Sequence, residues 1–254
     1  MVETGVSDQV QCAAFNLGQL ELRSENHPAA TAAFQLAAET QEAHLRARAA
    51  LNLALLREED AAPASEVDGW YRTAIETEDP EYMPMSALAL GGRLADRGQT
   101  PQARELIKKS IESGDAETKA KGTMILGRLQ ENVNDEEGAA SLYRRVIECQ
   151  HPEYSVEAHW LLGVLSQRTG REDAARWHLR AALDAGHPEH SPEAGLQLAR
   201  INLRHGEGHE AKVLLRQLRK AGHPRVAEVA AQLLAELEQR PDQDGGAAID
   251  QKLM

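Results

Sequence analysis

Residues 151–186 read HPEYSVEAHWLLGVLSQRTGREDAARWHLRAALDAG, and residues 187–222 read HPEHSPEAGLQLARINLRHGEGHEAKVLLRQLRKAG. The two stretches share their length and their landmarks. His-Pro-Glu opens each of them, at 151 and 187, and His223-Pro224 follows, so the starts lie 36 residues apart. Stepping back by the same interval reaches Asp115-Ala116-Glu117 and then Asp79-Pro80-Glu81. A fixed period of this size marks stacked repeats, each of which needs a neighbour to cover its apolar face.

The inside of the unit is equally regular. Leu17-Gly18, Leu90-Gly91, Leu126-Gly127 and Leu162-Gly163 recur in the first half, with Leu53-Ala54 and Leu198-Ala199 as variants. Twelve residues on stands an alanine, and four further a large side chain: Ala30/Phe34, Ala103/Ile107, Ala139/Tyr143, Ala175/Leu179 and Ala211/Leu215. The second unit has Val67/Tyr71 and one extra residue, which the spacing places in the turn at Ala61–Ser65.

These positions predict a helical hairpin. Ala158, Leu161, Leu162 and Leu165 follow the i, i+3, i+4, i+7 rule of an amphipathic helix. Gly163 falls mid-helix, where glycine costs about 1 kcal/mol relative to alanine. Close approach of the second helix explains that cost, with the small Ala175 as the matching partner. Thr169-Gly170-Arg171-Glu172 reads as the tight turn, Gly170 supplying positive φ, and Asn134 plays the same part in the fourth unit. At the joint, Gly186 suits the end of one helix and His187-Pro188-Glu189 the start of the next.

The pattern resembles the tetratricopeptide repeat, W-x2-L-G-x2-Y followed by A-x3-F and P, over roughly residues 7–240. The Trp position holds Ala14, Ala50, Ala87, Thr123, His159 and Gly195; the Tyr position holds Glu21, Arg57, Leu94, Gln130, Ser166 and Asn202. The unit is longer than the family's usual 34 residues, and the related Sel-like repeat is the minor alternative. The resemblance implies an all-α, right-handed α-solenoid of six helical hairpins plus a C-terminal capping helix. The expected organisation is a tail at 1–6, one solenoid domain over 7–240, and a flexible tail over 241–254. The units run near 7–42, 43–78, 79–114, 115–150, 151–186 and 187–222, with the cap at 223–240.

Composition narrows the function. Lys and Arg number 28 against 40 Asp and Glu, a net charge of −12, which disfavours binding to nucleic-acid phosphates. Two cysteines, Cys12 and Cys149, cannot build a disulfide framework and fit a reducing compartment. The opening MVETGVSDQVQ lacks a basic and then apolar leader, and no apolar run spans a bilayer, so a cytoplasmic location is expected. No G-x-S-x-G, G-x-x-x-x-G-K-[ST] or H-E-x-x-H motif is present. His151, His187 and His223 repeat one per unit, so stacking separates them by about 10 Å. That is too far for one zinc, and they read as caps. No catalytic residue, cofactor or metal is expected.

In the family the first helices line a concave groove that holds peptides. Carried onto this register, the groove comprises Asn16, Gln19, Arg48, Asn52, Leu55, Met85, Leu88, Lys121, Met124, Arg128, Trp160, Val164, Arg200 and Arg204, joined by Leu51 and Gln197. The Met, Leu and Trp members suit an apolar or helical segment. Arg128, Arg168, Arg200 and Arg204 suit an acidic part of it. The family's carboxylate clamp for chaperone tails is not matched: Phe15 and Gln19 stand at its Lys/Asn pair, Met85 and Ala89 on its third helix. The expected function is a non-catalytic protein-interaction module or scaffold. The alternatives are a self-associating scaffold and a regulatory subunit of an enzyme complex.

Overall fold

The computed structural model describes residues 2–239, and among them every regular element is a helix. In chain order these are α1 (Val2–Arg23), α2 (His27–Ala38), α3 (Ala43–Glu59), α4 (Ala64–Glu76), α5 (Tyr82–Asp96), α6 (Thr100–Ser113) and α7 (Ala116–Asn132). They continue with α8 (Glu136–Glu148), α9 (Tyr154–Arg168), α10 (Glu172–Asp184), α11 (His190–Arg204), α12 (Gly208–Leu218) and α13 (Pro224–Gln239). The order is six helix pairs and a final single helix, as the spacing predicts. α1 starts at Val2, inside the expected tail, since no proline interrupts the run from Val2 to Gln11. The expected C-terminal tail at 241–254 lies outside the described residues.

The chain forms two compact units, residues 1–129 and 130–254. In the first unit α1 packs on α2, α3 on α4 and α5 on α6, and the hairpins join through α2–α3 and α4–α5. In the second unit the chain packs consecutively from α8 to α13. In each unit the first helices of successive hairpins also touch, α3 with α5 and α9 with α11, which gives that side of the stack a continuous helical face.

The hairpin is locked by the large residue of its second helix. Phe34, Tyr71, Ile107, Tyr143, Leu179 and Leu215 are all 0–1% exposed. Leu179 presses on Gly163 so closely that a Cβ there would lie 2.5 Å from its Cγ; Gly91 meets Ile107 at 2.6 Å and Gly18 meets Phe34 at 2.7 Å. The glycine therefore faces the large side chain and not Ala175, the small partner that spacing suggests. Ala175 is itself fully buried in the core of the second unit.

Turns and joints follow backbone chemistry. Gly170 takes φ 72° in its hairpin turn, and Asn134 takes φ 59° at the equivalent place. The extra residue of the second unit sits in the turn between Glu59 and Ala64, where Ala61 takes φ 53°. At the joints, one side chain accepts hydrogen bonds from the N–H groups two and three residues on, which defines a helix N-cap. Asp79 Oδ1 accepts from Glu81 and Tyr82 at 3.0 and 2.9 Å. Asp115 Oδ1 accepts from Thr118 at 2.8 Å. His151 Nδ1 accepts from Glu153 and Tyr154 at 3.3 and 3.4 Å, and His187 Nδ1 from Glu189 and His190 at 3.2 and 3.3 Å. His223 Nδ1 accepts from Val226 at 3.3 Å. In capping terms each histidine is the N-cap and its proline the first helical position, though regular helix begins two residues later in α9 and α11.

Two expectations follow for stability. Gly163→Ala lowers the melting temperature by the equivalent of about 1 kcal/mol, overpacking of about 1–3 kcal/mol outweighing about 1 kcal/mol of helix propensity. Gly69→Ala in α4, where an added Cβ meets nothing within 4 Å, raises it; thermal denaturation of the two variants reads the contrast. His187→Asp replaces a neutral cap by an anion at a positive helix end and stabilises by about 0.5–1 kcal/mol, measured by urea titration.

Candidate functional site: an apolar cavity on the first helices

Three of the first helices of the first unit enclose a cavity of 490 Å³. Leu55 comes from α3, Met85, Leu88 and Ala89 from α5, and Lys121 and Ile125 from α7. Four groove residues expected from the sequence, Leu55, Met85, Leu88 and Lys121, are thus brought together. Leu55 and Met85 stand 51% and 48% exposed, an unusual state for side chains of this type, while Leu88 forms the floor at 7%.

One wall is polar and internally paired. Arg93 Nε donates to Asp68 Oδ1 at 3.2 Å, and its other guanidinium nitrogen bridges to Glu58. Arg97 reaches Asp68 Oδ2 at 2.5 Å, and Tyr71 Oη donates to Glu58 at 2.9 Å. Burial, reinforced by the Glu58 carboxylate, raises the Tyr71 hydroxyl well above its ordinary range, so it stays a donor. Asp115 on the rim is held below the usual carboxylate range by the Thr118 N–H it caps. Asp96 and Glu117 complete an acidic rim beside Lys121. Gly92 and Asp96 follow Leu88 at steps of four, so extending the helical period along α5 finds them. Tyr71 enters as the large hairpin residue that the spacing already marks, and Glu58 through its ion pair with Arg93, which the spacing does not mark.

The other expected groove residues scatter. Met124 is 3% exposed and belongs to the interior. Asn16 is exposed and Gln19 half-buried on α1. Arg48 lies over the Phe15 ring at 4.4 Å, and Asn52 donates to the Arg48 carbonyl of its own helix at 2.8 Å. Arg128 is exposed in the first unit.

In the second unit Trp160 and Val164 are half-buried on α9, and Arg200 half-buried and Arg204 exposed on α11. Trp160 stacks on His190, with ring centroids 5.9 Å apart. Burial, with repulsion from Arg225, lowers the Arg200 guanidinium from its ordinary value against the pull of Glu193. Arg168 is paired with Glu131 and Glu136 at 3.0 and 3.1 Å. The arginines that look clustered along the chain therefore differ in availability.

A second titratable group lies apart from these. His159 and His178 bring their Nδ1 atoms to 3.1 Å beneath the exposed Trp177 ring, 5.4 and 4.7 Å from the two imidazoles. One ring donates and the other accepts, and burial lowers the pKa of both, so both are neutral near pH 7. Burial, with repulsion from His159 and Arg144, pushes His178 down to about 4. Among the described residues no group of three or more His, Cys, Asp or Glu side chains is placed to hold a metal ion. No described helix is long and apolar enough to cross a membrane.

No protein-family model matches the sequence, and no curated protein matches it. Solved structures do. The chain is similar to PilW, a type IV pilus biogenesis factor, at 16% identity and TM-score 0.61, over 85% of this chain and 94% of that one. It is similar to the apo form of RapI at 13% identity and TM-score 0.60, over 91% and 98%. A Rap protein solved in complex with Competence and Sporulation Factor aligns at 12% identity and TM-score 0.52, over 91% and 75%. The fold is that of tetratricopeptide-repeat proteins, an all-α solenoid of helical hairpins.

The neutral histidine pair has a pH signature. An unfolded histidine protonates near 6.5, while His178 resists down to about 4, so the unfolded state binds the extra proton and stability falls as pH drops through that window. His27 acts the other way, since its hydrogen bond to Asp60 raises its pKa and acid strengthens it. Urea midpoints measured from pH 7 to pH 4 should therefore fall less steeply in His178→Gln than in wild type.

Proposed function

We propose that this chain is a non-catalytic protein-interaction module that holds an apolar peptide or helix against the first helices of its hairpins. The observation that carries the reading is the cavity formed by Leu55, Met85, Leu88 and Ile125 from three successive hairpins. Its apolar side chains stand on rigid helices, so a partner loses little to ordering of the receptor on binding. Its charged wall is already satisfied by internal ion pairs, which leaves shape and apolar contact as the attraction. The Rap protein solved with Competence and Sporulation Factor supports the idea that this fold can host a partner. In the second unit, Trp160 and Val164 beside Arg200 and Arg204 suit a segment carrying acidic residues. Two of the four cavity carboxylates support the non-catalytic reading, since Glu58 is ion-paired and Asp115 is a helix cap. The reading includes a cytoplasmic location, where the exposed, unpaired Cys12 and Cys149 remain thiols.

A peptide-display selection on the immobilised protein tests this. It should enrich sequences with bulky apolar residues, and Leu55→Glu/Met85→Glu should weaken the selected peptides at least about tenfold, equal to about 1.4 kcal/mol. Both positions are half exposed, so the variant keeps its helicity. Selection of no peptide, or unchanged affinity in the variant, defeats the reading.

A further inference from the structure

The first helix exposes a surface that later hairpins bury. Leu17 is the leucine of the Leu-Gly pair and is 50% exposed, whereas its counterparts Leu53, Leu90, Leu162 and Leu198 are 0–2% exposed. Leu20 is 59% exposed, against 2% for Leu56, 3% for Leu129 and 0% for Leu165 and Ile201. Ala13 is exposed, while Ala49, Ala158 and Ala194 are fully buried. In the later hairpins this surface packs on the second helix of the preceding one: Ala49, Leu53 and Leu56 share a core with Phe34 and Ala37 of α2. Among the described residues no helix packs on this face of α1.

We propose that this face of α1 pairs with the same face of a second copy of the chain. The surface continues the established hairpin-to-hairpin interface, so it is already shaped to receive a helix. Val10, Ala13, Leu17 and Leu20 follow the 3-4-3 spacing of a knobs-into-holes seam; the exposed residues beside it, Gln9 and Asn16, carry no charge, and the charged Glu21 and Arg23 lie past its end. The last helix offers no rival site, because the exposed side of α13 carries Glu228, Gln232 and Glu236. Like pairs with like, so the contact is isologous and closes at two chains. The pairing does not involve the Leu55–Met85 cavity and stands apart from the proposed peptide binding.

Sedimentation equilibrium over a range of concentrations tests it. Wild-type mass should rise from 27.8 kDa to a plateau at twice that value. Leu17→Glu/Leu20→Glu should stay at the monomer mass with unchanged helicity, and Leu55→Glu/Met85→Glu should dimerise like wild type. If the charged variant loses helicity, Leu17→Ser/Leu20→Ser replaces it and should also be monomeric. A wild type that stays monomeric to its solubility limit overturns the proposal. So does a folded α1 variant that still dimerises, or a mass that climbs past the dimer without a plateau.

Discussion

Three of the hairpins depend on a large side chain of the second helix driven into a socket with no Cβ on the first. Leu179 on Gly163, Ile107 on Gly91 and Phe34 on Gly18 are the same contact made three times. The glycine weakens its own helix by about 1 kcal/mol, and the approach it allows buries a whole Leu, Ile or Phe side chain, worth about 1.5–3 kcal/mol. Packing thus outweighs propensity. Ala54 and Ala199 stand at that position in the second and sixth hairpins, so the contact there is made with a methyl group in place.

Much of this was legible because a repeat is measured several times over. One Leu-Gly pair is weak evidence, but pairs in register, each followed by a buried large residue, leave few other folds. The turn residues were legible as well, since Gly170 and Asn134 answer a local need for positive φ that neighbours cannot override. The site was less so. Met85 and Met124 look alike in sequence, yet one is half exposed and the other 3% exposed. The difference follows position within the unit and not residue type: one period from Met85 stands the exposed Lys121, and one period from Met124 stands Leu88, 7% exposed. The socket partner was missed for a related reason: matching small with small ignores that a long side chain leans back along its helix.

The joints show one geometric task met by two chemistries. Asp79 and Asp115 cap with a carboxylate, whereas His151, His187 and His223 cap with an unprotonated ring nitrogen at longer distances. The Asp caps bring a full charge to the positive end of the helix; the His caps bring a dipole and a flat ring that stacks. His151 lies 4.7 Å from the Tyr154 ring, and His187 stacks on His190 at 4.8 Å. His190 in turn stacks on Trp160, so the cap of α11 is continuous with the aromatic surface of α9. The recurring His-Pro-Glu is then more than helix punctuation, because it ties the joint to the face that carries the expected partner-binding residues.

The two terminal helices differ in what they ask of their surroundings. In a stack of repeats stability is roughly a sum of unit and nearest-neighbour terms, and an end unit lacks one neighbour. α13 meets that lack with a polar outer side over buried Val226, Ala230, Leu233 and Leu234. α1 does not, since its outer side retains the residue types used for hairpin stacking. If a second copy covers that face, the stability of the first unit becomes linked to concentration by mass action.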